Sequence, residues 1–510
     1  MSSILTNSSA MVALQTLRGI NSNLNETQEQ ISTGKAIGSA RDNSAIWAIS
    51  KVMESDVNGF MAISESLALG ESTVAVARTA SETVSDLLTD IKGKIVAAQE
   101  ENVDRAKIQT DIDALVDQID TIVGAAQFNG LNLVQGTDDS SILASLDRSS
   151  DGTVAANSIN VARQDLTTAA GVFGSGTSLN ANATVSDTGA GALVNTGNNA
   201  QITFNTDADY SAATGSFTIG GVVASFAAGD LGTGDQDAAA SAFSARINAL
   251  GIEGITASAA GAVVTLTSTR SFEGVAVSVD SVTGNAAGTQ ITNINGGAVT
   301  VASGTIDERA ENVTFDPAAA VNEGDGYRVT FGGETFTYVA GPNENFEDVA
   351  RGLQAAIGGT SLAGVTTQVT TDQSTGAAIL KIDNDSASAF TLAAIGNAGG
   401  EASGGLVGLD TLDVTTETGA TNALGNIETF INTAIDSAAS FGSVEGRIEL
   451  QSNFVSQLTD SLKTGIGALV DADMEAASAR LQALQVQQQL GVQALSIANQ
   501  APQTILSLFR

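Results

Sequence analysis

The chain has 510 residues, enough for about three or four domains of ordinary size and for several buried cores. It contains no Cys and no His, which excludes disulfides, thiolate nucleophiles, Cys or His zinc sites and Ser-His triads. A formal net charge of −35, from 21 basic and 56 acidic side chains, repels nucleic acid, while 43% hydrophobic content is too high for a disordered chain.

The opening segment, MSSILTNSSAMVALQTL, has neither a basic start nor a continuous apolar stretch closed by a cleavage site, so no standard secretory signal is expected. No run approaches the ~18 consecutive apolar residues of a membrane-spanning helix, and no membrane insertion is expected. Ala10, Leu17, Leu24 and Ile31 recur every seven residues, with Leu14, Asn21 and Gln28 as a companion row, which reads as a heptad seam with two polar members. Val84, Leu87, Ile91 and Ile95 begin a second stripe, and Ile108, Ile112, Leu115, Ile119 and Ile122 give a third. The three prolines, Pro317, Pro342 and Pro502, leave the interior of both flanks free for long helices.

Glycine marks a different middle: residues 1–135 hold 8 Gly and residues 421–510 hold 6 of the 54. Short Val, Ile, Thr and Phe runs there, broken by Gly, Asn, Asp and Ser, predict strands and turns. A repeat is visible. SFTIGGVVASF (216–226) resembles YRVTFGGETFTY (327–338), each followed by a helical segment (238–250 and 345–357) and a two-strand pattern from Gly254 and Gly364. This predicts two related ββαββ-type units, at about 210–285 and 320–395.

Toward the other end, Ile448, Val455, Leu458, Leu462 and Leu469 fit the heptad template again, as do Leu481, Leu484, Gln488, Leu495 and Ala498. Helices this long need long partners, so the two termini are expected to pack on each other with the middle as an outgrowth. Val486, Leu490, Val492 and Ile497 lie off the main seam and widen the apolar surface, which predicts self-assembly. Asn21, Gln28 and Gln488 are expected to set register. Charge divides similarly. The first 135 residues carry 9 basic and 17 acidic groups, the last 90 carry 4 and 8, and the middle carries 8 and 31, so the middle is the solvated face.

Acidic clusters at TDADY (with Asp207 and Asp209), DND (383–385) and DAD (471–473) lack a calcium-loop signature and read as turns, solvated loops or helix caps. No catalytic residue, cofactor or metal ligand is assigned, and the chain is not expected to be an enzyme. Ser and Thr in the middle are open to O-glycosylation at positions the sequence does not locate.

Four segments resemble bacterial flagellins, in the family's order: residues 31–49 (ISTGKAIGSARDNSAIWAI), residues 127–135 (QFNGLNLVQ), residues 470–474 (VDADM) and the terminal ANQAPQTILSLFR with Leu506, Leu508 and Arg510. The resemblance covers roughly 1–170 and 405–510. It implies a mainly α coiled-coil rod of packed N- and C-terminal helices with a β-hairpin, plus α+β or β-rich variable outer domains inserted in the middle. The implied domains are 1–45 with 465–510 as an inner terminal coiled coil, 46–175 with 405–464 as a helical second layer, and 176–404 as the outer region. The hairpin has a candidate at 142–166, turning at residues 149–152.

The implied function is a structural subunit that self-polymerises into the helical filament of the extracellular bacterial flagellum, used for swimming. A hook-filament junction protein and a secreted adhesin on a helical stalk are the alternatives. Implied partners are other copies of itself, a flagellar export chaperone, the type III export apparatus, and hook-associated and cap proteins. In flagellins sensed by the vertebrate flagellin-recognising Toll-like receptor, an Arg and a Leu stand where this chain has Asp90 and Lys94. That exchange, typical of alphaproteobacterial flagellins, predicts poor receptor activation.

Overall fold

The computed structural model describes residues 7–149, 153–185, 192–194, 196–206, 209–358, 362 and 364–508, the last eight as backbone. The N-terminal part supplies α1 (Ser8–Thr33), α2 (Ser44–Ala98), α3 (Arg105–Ala125), β1 (Gln127–Phe128), β2 (Leu131–Asn132), β3 (Ser140–Arg148) and β4 (Val154–Val161). The middle begins with β5 (Ala183–Val185), β6 (Ala192–Leu193), β7 (Asn198–Thr203), β8 (Thr214–Ile219), β9 (Val222–Phe226), α4 (Gln236–Ala249), β10 (Ile255–Ala260), β11 (Val263–Ser268) and β12 (Val275–Thr283). It continues with β13 (Gln290–Ile294), β14 (Gly297–Val301), β15 (Ser303–Ile306), β16 (Glu311–Phe315), β17 (Gly326–Phe331), β18 (Glu334–Val339), α5 (Phe346–Gly358), β19 (Val365–Thr371), β20 (Ala378–Asn384), β21 (Phe390–Thr391) and β22 (Ala393–Asn397). Two helices, α6 (Glu417–Val470) and α7 (Met474–Leu508), close the described chain.

Two compact units emerge: Met1–Ser72 with Ser141–Asn160 and Val444–Arg510, and Thr73–Ser140 with Val161–Ser443. In the first, the Asn7 side chain caps α1 by accepting from the Ala10 amide at 3.0 Å. At the other end Gly34, at φ 69, closes the helix by donating to the Gln30 carbonyl at 2.9 Å. The connector then turns on Asp42, which accepts from the Gly38 and Ser39 amides and the Ser39 hydroxyl; these bonds hold its carboxyl below the usual range. Asn43 caps α2 through the Ala45 and Ile46 amides, both at 3.2 Å. The segment that resembles the family is thus a turn closed back onto Asp42, feeding a helix capped by Asn43.

The strands β3 and β4 pair with each other and lie across α2 at two glycines. A Cβ on Gly59 would stand 2.7 Å from Leu146, and one on Gly70 would stand 2.6 Å from Ile142. Arg148 pairs with Asp56 at 2.5 Å, and Gln451 of α6 donates to the Ala144 carbonyl at 2.9 Å. The turn expected at 149–152 lies largely outside the described residues.

In the second unit Leu88, Ile91 and Ile95 of α2, Ile112 and Ile119 of α3, and Ile427 and Phe430 of α6 are buried, and α2 pairs with α3 through Lys94–Asp111 and with α6 through Lys92–Glu428. The inner row of α3 is Ile112, Val116, Ile119 and Val123, while Ile108, Leu115 and Ile122 are half-buried. By length and composition α2 could cross a membrane, but Leu67, Val74, Val84, Leu88, Ile91 and Ile95 along it are buried inside the protein. QFNGLNLVQ forms the β1–β2 hairpin around Asn129 (φ 50) and Gly130 (φ 83), a primed two-residue turn. Asn132 then donates to the Val123 carbonyl at 2.8 Å, satisfying the end of α3.

The middle holds two units of the same order. The expected ββαββ pattern is present as β8-β9-α4-β10-β11 and β17-β18-α5-β19-β20, and each copy gains a strand at both ends: β7 pairs with β11 as β16 pairs with β20, and β8 with β12 as β17 with β22. The hairpins of one copy sit in different sheets, and the helix packs on both through one aromatic side chain. Phe243 of α4 lies 5.8 Å from Phe204, 4.6 Å from Phe217 and 5.8 Å from Phe226. Phe346 of α5 does the same with Phe315 and Tyr327. Both copies turn on a Gly pair with two positive φ values, 55 and 82 at Gly220–Gly221, 61 and 82 at Gly332–Gly333, a conformation that side chains with a Cβ resist.

An ion cluster, buried at Arg309 and Asp383, ties the segment before β16 to β20, and Ser271 of the first copy donates to Asp383 at 3.0 Å. Arg309 donates two bonds of 2.7 Å to Asp383 and one of 2.9 Å to Asp385, while Lys381 pairs with Glu308 at 2.7 Å. The DND cluster is therefore held by a guanidinium rather than left as a solvated loop. Asp209 makes an Asx turn to Ser211, and Asp207 lies outside the described residues. Among the described residues no group of three or more Asp or Glu is placed to hold a metal ion.

Candidate assembly interface

The site is the pair α1 and α7, which run antiparallel along their shared length. Asn7 donates to the Ala498 carbonyl at 2.7 Å, Leu17 approaches Gly491, Gln488 donates to the Asn21 side chain at 2.7 Å, and Lys35 faces Asp471 in an antiparallel bridge. The connectors lock the far end: Ala36 donates to the Val470 carbonyl at 2.7 Å and Ala472 to the Gly34 carbonyl at 2.9 Å. Asp473 caps α7 through the Glu475 and Ala476 amides at 3.1 Å, so the VDADM motif joins a cross-chain bridge to a helix start.

On α7 the inward row is Ala477, Leu481, Leu484, Gln488, Gly491, Leu495 and Ala498, spaced by fours and threes throughout. Leu481, Leu484, Gln488, Leu495 and Ala498 stand there as the heptad pattern placed them. Ala477 and Gly491 escape a search for large apolar residues, yet Gly491 matters because a Cβ there would stand 3.1 Å from Leu17. Leu506 and Leu508 lie in the helix with undescribed side chains, and Arg510 is outside the described residues.

On α1 the seam needs a correction. The row Ala10, Leu17, Leu24 and Ile31 faces inward, but its companion is Ala13, Ile20 and Thr27, three residues on rather than four. Leu14 and Gln28 face out, while Asn21 stays half-buried because it holds Gln488. The signal was misleading for a physical reason: Leu14 is large and apolar, whereas Ala13 is small and Thr27, although buried, hides its hydroxyl on the Asn23 carbonyl at 2.8 Å.

Away from the seam the pair is apolar and open. Val486, Leu490, Val492 and Ile497 are 55%, 57%, 53% and 68% exposed, and Met11 and Val12 on α1 are 66% and 63% exposed. Removing each such Val, Leu or Ile side chain from water would contribute roughly 1.5–3 kcal/mol. Few charges interrupt this face, the pattern of a surface that another chain covers.

The receptor-linked positions sit elsewhere, on the second half of α2. Asp90 is exposed, and Lys94 pairs with Asp111 of α3 at 2.5 Å.

Comparison with known proteins gives two family matches, the bacterial flagellin N-terminal helical region over residues 4–139 and the bacterial flagellin C-terminal helical region over residues 424–509. Flagellin A and flagellin D of Rhizobium meliloti are each 31% identical, with 100% of both chains covered. Flagellin FljO of Caulobacter vibrioides is 41% identical over 172 residues, 33% of this chain and 63% of that one. Among solved structures, flagellar hook associated protein-3 of Legionella pneumophila aligns with a TM-score of 0.31 at 10% identity, covering 82% of this chain and 98% of that one.

Proposed function

The chain belongs to the bacterial flagellin family, and on that premise we propose that its α1–α7 pair is the element through which copies join. It is a structural subunit of the extracellular flagellar filament, alphaproteobacterial in its likeness. The observation that carries the finer reading is the division of α7 into two apolar rows. One is spent inside the subunit against α1, and the other, Val486, Leu490 and Ile497, is left in water. A helix with two such rows needs two sets of neighbours, and in a polymer of identical chains the second set comes from other copies. The tail residues Leu506, Leu508 and Arg510 are assigned to the same contact by family likeness.

The Asn21–Gln488 bond supports a register role. It is a polar pair in a seam of otherwise apolar and small residues, and sliding one helix along the other by a heptad would bury both amides unpaired. Residues 1–45 with 465–510 are proposed as the inner layer, 46–175 with 405–464 as the second, and 176–404 as the outer region. An export chaperone, the type III apparatus and the hook-associated and cap proteins are proposed partners on family grounds. Asp90 and Lys94 are proposed to blunt recognition by the flagellin-sensing receptor, since an acid and an ion-paired lysine replace the contacts the receptor would use. A cell reporter assay giving full activation would sink that last idea.

Removing residues 481–510 and seeding polymerisation tests the main reading under the electron microscope. Filaments from the intact chain alone support it, and filaments of equal length from the truncated chain overturn it.

A further inference from the structure

The Lys381–Glu308 pair has a third member, Asn312, and the assembly surface uses none of them. On β16 and β20, Asn312 and Lys381 stand directly opposite each other in the antiparallel register, so both side chains leave the sheet on the same face. Glu308, four residues before Asn312, reaches over that face. Its Oε1 accepts from Lys381 Nζ at 2.7 Å and from Asn312 Nδ2 at 3.2 Å, so one carboxylate oxygen touches an amine and an amide at once. The Lys381 and Glu308 side chains are only 14% and 19% exposed, and Lys381 Nζ is steadied by a further bond to the Phe272 carbonyl at 3.2 Å.

These three groups are the parts of an amide exchange. Lysine becomes a nucleophile on losing a proton, Asn312 Cγ is a carbonyl carbon with a nitrogen leaving group, and Glu308 is within hydrogen-bond reach of both nitrogens. Burial works against the charge on Glu308, yet the bonds from Lys381 and Asn312 hold its carboxyl below the usual range, so it rests ionised, as a base must. Cross-strand placement supplies the proximity that so slow a reaction otherwise lacks. Lys381 has a second amide neighbour, Gln368 of β19, but Gln368 is exposed, and the amide that Glu308 holds is that of Asn312.

We propose that Lys381 and Asn312 join in an intramolecular isopeptide bond, with Glu308 as the proton carrier, and that this bond staples β16 to β20. Glu308 takes a proton from the Lys381 ammonium, and the free amine attacks Asn312 Cγ to form the Nζ–Cγ bond. The Cγ–Nδ2 bond breaks as Nδ2 receives that proton and a second one from Nζ. One ammonium ion leaves, no electrons are exchanged, and neither an oxidant nor a cofactor is needed. The staple closes a loop that contains β17, β18, α5 and β19, and it is open to a chain that has no Cys for disulfides. The first copy is an internal control. Matching buried Leu266 to buried Leu380 sets Asn199 opposite Thr267 in the place of Asn312 and Lys381, so that copy has the amide without the amine and stays unlinked.

Peptide mapping of the full-length chain by mass spectrometry tests this. Trypsin, which does not cut after an acylated lysine, should release residues 310–328 joined to residues 352–447 through Asn312 and Lys381, one ammonia lighter than the two peptides together. Lys381→Arg, which keeps a cation beside Glu308, and Glu308→Gln, which keeps the shape without the base, should both yield unbranched peptides of full mass. The wild-type reading decides even where a variant fails to fold: an unbranched wild-type chain, ammonia lost at Asn312 alone, or a branch at Gln368 would each overturn the staple. A branch retained in folded Glu308→Gln would overturn it too.

Discussion

The terminal helix pair and the two outer copies bury apolar side chains by opposite strategies. In the first outer copy Phe204, Tyr210, Phe217, Phe226 and Phe243 are all within 3% of complete burial, and the core closes around α4 without help. On α7, Leu484 is 7% exposed while Leu490, six residues on, is 57% exposed. One region finishes its hydrophobic core within a single chain. The other stops halfway, and what it leaves open is the face proposed to meet other copies. The difference teaches that completeness of burial, rather than hydrophobic content, separates a region that closes its core alone from helices that leave a face for another chain to cover.

Changes in the two regions should therefore break different things. The largest effect is expected from Leu490→Asp combined with Ile497→Asp: filaments should disappear by electron microscopy while circular dichroism of the monomer keeps its helical content. Phe243→Ala should do the reverse, costing about 3–5 kcal/mol of outer-domain stability in denaturant melts while filaments still form. Gly70→Ala tests a close approach within the first unit. Ile142 lies where the new methyl would go, so about 1–3 kcal/mol of destabilisation is expected by thermal melting, and Ile142→Val in the same chain should recover part of it. Smallest is Asn21→Leu, which leaves the Gln488 amide without its acceptor; a loss of about 1 kcal/mol is expected, with altered subunit register visible in filament diffraction.

How legible this was depended on residue size and on distance along the chain. Five of the seven inward positions of α7 were readable because they are large or keep a strict heptad, and the repeat was readable because the paired Gly of each hairpin is a conformational requirement. The α1 companion row was not, since Ala13 and Thr27 carry little hydrophobic signal and Leu14 carries too much. The first strand of each copy also escaped: NNAQIT and ENVTF share no visible pattern, although β7 pairs with β11 as β16 pairs with β20. Arg309 and Asp383 lie 74 residues apart, and nothing in either local sequence marks them as partners. A cavity lined by Glu344 and α6 was equally hidden, because its walls come from five separated segments.

The absence of Cys makes the central claim directly measurable, since any introduced thiol is the only one in the chain. Ile497→Cys on the open row of α7 and Val223→Cys on the outer hairpin, 68% and 56% exposed in the subunit, should both react rapidly with a maleimide as monomers. After polymerisation the account predicts that the thiol at position 497 becomes protected while the one at 223 still reacts. Equal labelling of both positions in intact filaments would contradict it.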